Sequence, residues 1–285
     1  MKKYLFILSA IVLFAFTSCN KIILSGNNIT EEFVIEGSYT ELCVANAFEV
    51  IVTDAVDQIT ITTDENVMPK VLVEKDGDKL KIHLKPLSIN IGTDLELKVL
   101  LPYNADLTSV DLSGASEFRS EYGLVGEKVE VEISGASDFY CDIDAHKVDV
   151  ELSGASNFYG DILANEADVD LSGSSDIEGM VDITEFDLGL EGASDAKLLG
   201  QVAKLKINLT GASNIVRQVV EGRYGLVCEQ CEGTMSGSSN AYIHCDGRIC
   251  VDLSGSSTLH YTGDGSSSGC STTSGGSTIS GPEHP

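Results

Sequence analysis

Cys228 and Cys231 have two residues between them, with Cys245 and Cys250 following. Such a spacing serves zinc coordination, thiol–disulfide exchange or structural cross-linking, depending on the compartment. The five histidines, His83, His146, His244, His260 and His284, show no partner spacing and are expected to be solvated rather than catalytic. Serine is abundant in the phrase Ser-Gly-Ala-Ser, but a nucleophile elbow is a single strand-turn-helix feature. Here the phrase recurs, so it is expected to build corners. Acidic residues also recur: Asp111, Glu132, Glu151 and Asp170 form one series, and Glu117, Asp138, Asn157, Asp176, Asp195, Asn214, Asn240 and Thr258 another. Stacked in register ~4.8 Å apart, either series is a solvated acidic face or, since calcium prefers oxygen ligands, a cation bridge. No catalytic residue, cofactor or resident metal is assigned.

The element that must position these residues is a repeat. Its glycines are Gly114, Gly135, Gly154, Gly173, Gly192, Gly211, Gly237 and Gly255, most of them 19 residues apart, the interval of a solenoid coil. Before each glycine, apolar and polar residues alternate, as in Val150-Glu151-Leu152-Ser153, the period of a strand with one buried face. Glycine and small residues turn the corner, and Phe118, Phe139, Phe158 or Ile177 then re-enters the core. About three short strands fit one period. The predicted fold is all-β: a right-handed parallel β-solenoid over 106–265, with an N-terminal antiparallel β cap over 30–105. In the cap, Lys75-Asp76-Gly77-Asp78 is a hairpin turn, and the hairpins protect an otherwise open edge. The longer interval before Gly237 predicts an insertion or bulge between Arg217 and Cys231. The Ser/Thr/Gly-rich 266–285 is expected to be a flexible tail, with Thr278-Ile279 able to add an edge strand.

Residues 1–18 combine Lys2, Lys3 and a short apolar run, the layout of a secretory signal. Thr17-Ser18-Cys19 resembles a bacterial lipobox, which implies cleavage before Cys19, its lipidation, and a tether over 19–29. In an exported chain, structural disulfides are the default. Cys228 and Cys231 lie nine and six residues before Gly237, and Cys245 and Cys250 lie ten and five before Gly255. These offsets motivate Cys228–Cys245 and Cys231–Cys250 bridges, ahead of metal binding, redox activity or free thiols. Cys43, Cys141 and Cys270 have no evident mates.

At Val99-Leu100-Leu101-Pro102, Leu112-Ser113-Gly114-Ala115-Ser116 and Leu253-Ser254-Gly255-Ser256-Ser257, the chain resembles the auto-transporter adhesin head GIN domain family of bacterial envelope proteins. The resemblance spans roughly Ala45 to Gly263. It implies a β-solenoid and carries no catalytic residue to transfer. The chain departs from the phrase at Glu191 and Thr210, which replace its first serine.

The formal charge is −26, more negative still without Lys2 and Lys3, which disfavours nucleic acid and anionic surfaces as partners. The expected protein is a non-enzymatic cell-envelope lipoprotein, anchored in the membrane through its lipid and meeting a protein or glycan of the envelope. The alternative is a β-helix polysaccharide lyase or hydrolase. Against a lyase, Arg119, Arg217, Arg223 and Arg248 are scattered; against a carboxylate-pair hydrolase, a catalytic pair should break the repeat.

Overall fold

The computed structural model describes residues 21–85, 88–89, 95–220 and 223–281. The leader and Cys19 lie outside the described residues. The repeat folds as a parallel β-solenoid. Successive long strands, Leu124–Ile133, Ile143–Leu152 and Ile162–Leu171, pair in parallel and in register, Val131 on Val150 on Val169. The short strands Glu117–Arg119, Asp138–Tyr140 and Asn157–Tyr159 pair in the same way. Pairing along the long strands skips Glu127, His146, Asn165, Thr184 and Ala203, which mark a further corner in each coil. Each coil therefore has three faces. Alternation sends Val129, Val131 and Ile133 inward and their neighbours outward. Phe118, Phe139 and Phe158 stack through the core with ring centroids 5.3 and 5.0 Å apart.

The corner explains the phrase. The eight corner glycines, from Gly114 to Gly255, take φ of +72 to +84°, a region that side-chain-bearing residues rarely enter. A Cβ on Gly154 would also lie 2.4 Å from the carbonyl oxygen of Gly135 in the coil below. The second serine is buried, and its hydroxyl donates to the carbonyl three residues back: Ser137 to Ser134 at 2.9 Å, Ser156 to Ser153 at 2.8 Å, Ser194 to Glu191 at 2.9 Å and Ser213 to Thr210 at 2.9 Å. What the second serine needs from the first position is its carbonyl, which Glu191 and Thr210 also supply; where serine stands there its hydroxyl makes a longer bond to the coil below, as Ser134 does to the Leu112 carbonyl at 3.3 Å. Amide-to-carbonyl bonds then run from corner to corner, Ala155 to Gly135 at 2.7 Å and Ser174 to Gly154 at 2.8 Å.

The N-terminal region is less purely antiparallel than the alternation suggests. Its strands are β1 (Asn28–Phe33), β2 (Glu41–Val44), β3 (Glu49–Thr53), β4 (Ile59–Asp64), β5 (Val71–Asp76), β6 (Lys79–Leu84) and β7 (Leu97–Pro102). The β1–β4, β4–β7 and β5–β6 pairs are antiparallel, the last across Gly77 as the Asp-Gly turn predicts. However, β2 lies parallel between β6 and Ser109–Leu112, and β3 lies parallel between β7 and Glu117–Arg119. Residues 41–53 are thus already a solenoid coil. They lack the Ser-Gly-Ala-Ser phrase because Asn46 and Ala47 turn the corner, with φ of +80 and +85°. The side-chain oxygen of Asn46 accepts the Leu84 N–H at 2.9 Å.

The C-terminal segment also departs from expectation. Residues 264–281 form a further coil rather than a flexible tail. Its corner is Ser274-Gly275-Gly276-Ser277, with Gly275 at φ +70° and Ser277 Oγ donating to Ser274 O at 2.8 Å. Thr278–Ser280 adds the anticipated edge strand, parallel to Thr258–Thr262. The anticipated insertion is a pair of two-residue antiparallel strands, Val219–Val220 and Arg223–Tyr224, followed by a register shift between Cys228 and Gln230.

Candidate functional site

The cysteines separate into three groups. The expected Cys228–Cys245 bridge is not formed: the two are register partners on adjacent coils, as their offsets imply, and both are buried free thiols. The hydrogen bond with Cys231, helped by burial, raises the Cys228 thiol pKa although the bond with Cys245 lowers it, and the bond with Cys228 together with burial raises that of Cys245; both stand well above the usual range, so the thiols stay protonated. The expected Cys231–Cys250 bridge is corrected. Cys231 pairs in register with Ile249, one residue from Cys250, and points into the core, while Cys250 points outward. A one-residue offset on a period of two puts the thiols on opposite faces. Cys250 is instead bonded to Cys270, with Cα atoms 5.1 Å apart, and so fastens the C-terminal coil to the one beneath it. Cys141 is a buried thiol whose desolvation pushes its pKa to about 12. Burial and a hydrogen bond to Asp111 raise Cys43 to about 11. Raised thiol pKa values mean little thiolate and low nucleophilicity.

Among the described residues, His83, His244 and His260 each meet partners of their own; His284 lies outside the described residues. His83 meets Glu74 at 3.3 Å, and His244 meets Asp246 at 3.3 Å and Thr262 at 2.9 Å. His260 Nδ1 lies 2.6 Å from Ser280 Oγ and its ring stacks on Tyr242. A Ser–His contact invites a nucleophilic reading, but His260 and Ser280 are register partners, so proximity follows from stacking. His244 and His260 share a groove of 200 Å³ with Arg217. Arg119 lies over the Tyr140 ring at 3.8 Å, and Arg248 lines another groove with Lys147 and Lys204. These arginines occupy separate parts of the surface, as their scatter in the sequence implies.

Both acidic series stack as read. In the series that begins at Glu117, the asparagines relieve the acids by donation, Asn157 Nδ2 to Asp138 at 2.7 Å and Asn214 Nδ2 to Asp195 at 2.7 Å, while Lys197 meets Asp176 at 3.0 Å. In the other, Asp111, Glu132, Glu151 and Asp170 are successive register partners, and the column ends where Gly189 lies beside the Asp170 carboxylate. Desolvation, with Asp187 and Glu191 nearby, raises the Asp170 pKa. Among the described residues, no group of three or more His, Cys, Asp or Glu side chains is arranged to hold a metal.

A regular stack of three-faced coils, with polar ladders outside and apolar ladders inside, defines the class as a parallel β-solenoid. The family profile described as "Putative auto-transporter adhesin, head GIN domain" matches residues 38–180 and 159–265, and the chain belongs to that family. Crystal structures share the fold. A "putative lipid binding protein" from Parabacteroides distasonis is similar at 18% identity and a TM-score of 0.63, over 92% of this chain and all of that one. A "putative adhesin" from the same organism is similar at 19% identity and a TM-score of 0.61, over 92% and 98% of the two chains. A "putative adhesin" from Parabacteroides merdae is similar at 18% identity and a TM-score of 0.50, over 92% and 99%. No match is found among curated proteins.

Proposed function

We propose that the protein is a lipid-anchored, non-enzymatic component of the bacterial cell envelope, whose solenoid presents an adhesin-like binding surface. The observation that carries this reading is the repeated register of the coils: residues that could do chemistry, such as His260 and Ser280, meet as steps of a ladder rather than as a departure from it. A rigid stack suits presentation of an extended surface. The anchor rests on Thr17-Ser18-Cys19 after a short apolar run, and family membership supports an envelope location. Its partners are then the membrane, through the lipid, and a protein or glycan of the envelope.

Mass spectrometry of the mature N-terminus tests the anchor. The expected result is a chain beginning at Cys19 and carrying acyl groups; an unmodified cysteine or a cut elsewhere removes the lipoprotein assignment. Cross-linking and pull-down from native envelopes test the binding role, with a saturable partner expected. Turnover of envelope polysaccharides by the purified protein would overturn it.

A further inference from the structure

Large apolar side chains are rare on the outside of this molecule, and they are not scattered. Among the described residues seven are exposed, and four of them, Tyr122, Val125, Leu163 and Met180, line one groove of about 580 Å³. A fifth, Tyr103, stacks on Tyr122 with centroids 4.6 Å apart. Val125 at 59% and Leu163 at 49% exposure stand at outward strand positions, where burial gives no reason for an apolar side chain. Concentrated exposed apolar surface marks interaction sites.

The groove is also charged with one sign. In register, its floor reads Val125, Asp144, Leu163, Asp182 and Gln201, one residue per coil. Along its rim stand Glu121, Asp142 and Asp161, and no lysine, arginine or histidine lines it. Asp142 and Asp161 are fixed, each accepting a backbone N–H from the next coil, of Asp161 and of Met180, at 2.8 Å. At one end Tyr122 is fixed too, its hydroxyl accepting the Asp54 N–H at 3.2 Å. The walls are thus preorganised, which lowers the ordering cost of binding. Five coils at ~4.8 Å spacing give a trough about 20 Å long, the span of roughly six residues of extended chain.

We infer that this groove docks a cationic, apolar polypeptide segment of another protein, with lysine or arginine alternating with large aliphatic residues. A second copy of this chain is a poor occupant, because its net charge of −26 would set acid against acid. The inference rests on the binding reading above and names the chemistry of its partner.

The test is fluorescence anisotropy of a labelled short peptide of alternating leucine and lysine, titrated with the mature protein at several salt concentrations. Saturable binding that weakens with salt is expected. Leu163→Asp decides between modes: it deletes an apolar contact and adds a negative charge, so docking predicts about tenfold weaker binding, whereas unspecific charge attraction predicts tighter binding. Leu163→Gln checks the same contact without added charge, and circular dichroism confirms that both variants are folded. Asp144→Asn with Asp182→Asn should flatten the salt dependence, while Glu132→Gln with Glu151→Gln, on another face, should leave affinity unchanged. Equal loss from the second pair, unaltered binding by Leu163→Asp, or preferential binding of zwitterionic vesicles or of a second copy would overturn the proposal. Retained capture of an envelope partner by Leu163→Asp would overturn this groove and leave the broader binding role standing.

Discussion

The two serines of the corner phrase do different work. Ser156 is buried, and its hydroxyl satisfies the Ser153 carbonyl at 2.8 Å, while Ser153 is partly exposed. Ser156→Ala should cost about 1–2 kcal/mol, the usual penalty for a buried acceptor losing its donor, and Ser153→Ala close to nothing. Gly154→Ala should cost more than either, at least about 2 kcal/mol, since positive φ and a 2.4 Å approach to the Gly135 oxygen act together. Urea unfolding of the three variants checks the order; equal losses would refute the division of labour. Glycine and both serines were legible in the sequence as corners. That the second serine is the buried one, with its hydroxyl turned back to the carbonyl three residues earlier, was not, because the direction of a hydroxyl is a three-dimensional fact. The same limit hid the corners at Asn46-Ala47 and Ser274-Gly275-Gly276-Ser277, where the geometry is kept but the spelling changes. For Cys231, counting residues back from glycine left an error of one, and in a strand that error reverses the face.

At the scale of elements, the two ends of the stack are fastened by different chemistry. At the entry, Asp64 closes β4 and takes the Gly26 N–H at 2.8 Å and the Ser25 hydroxyl at 3.1 Å through one oxygen and the Asn66 N–H at 2.9 Å through the other. Burial opposes the charge, but these donors outweigh it and hold the pKa below the ordinary carboxylate value. A depressed folded-state value contributes stability above the unfolded pKa, about 3.9, and loses it as pH falls through the folded value. Hydrogen exchange at residues 25–33 should therefore accelerate below about pH 4, and Asp64→Asn should remove that pH step while raising exchange at neutral pH. At the other end, Cys250–Cys270 closes a loop with a sequence separation of 20, for which chain entropy gives roughly 3 kcal/mol. Reduction, or Cys270→Ser, should raise exchange in residues 264–281 and leave the coils below Leu253 unaffected. The tail composition gave no sign of this order: Ser and Thr contribute little burial, and what holds the coil is the disulfide together with backbone pairing to the edge beneath.

For the whole molecule, the dominant surface term is self-repulsion. A chain of net charge −26 stacks its acids at strand spacing, relieving them with Asn donors and with lysines such as Lys128, which meets both Glu130 and Asp149. Screening shortens the reach of such repulsion to about 10 Å at 0.1 M salt, so the melting temperature should rise between low and moderate sodium chloride. Calcium at matched ionic strength should do no better. A distinctly larger gain with calcium, abolished by Glu132→Gln plus Glu151→Gln, would establish the cation bridge. Charge and class were legible from composition and from the repeat. The apolar groove was not, because Val125, Leu163 and Met180 lie far apart in the chain and meet only through register.

The bonds that join coil to coil run along the axis of the stack, as Ala155 N–H to Gly135 O does. Tension between the two ends would therefore load these bonds lengthwise, and the stack would open by unzipping one layer at a time, each of ~19 residues releasing roughly 60 Å of chain. The first layer at the far end is spared by its covalent staple to Cys250. At the near end, β2 and β3 are clamped between strands that come later in the chain, so that layer cannot leave before its neighbours do. A molecule of this build would behave under load as a ratcheted spool, surrendering length in fixed increments and thereby limiting the peak force on whatever it holds.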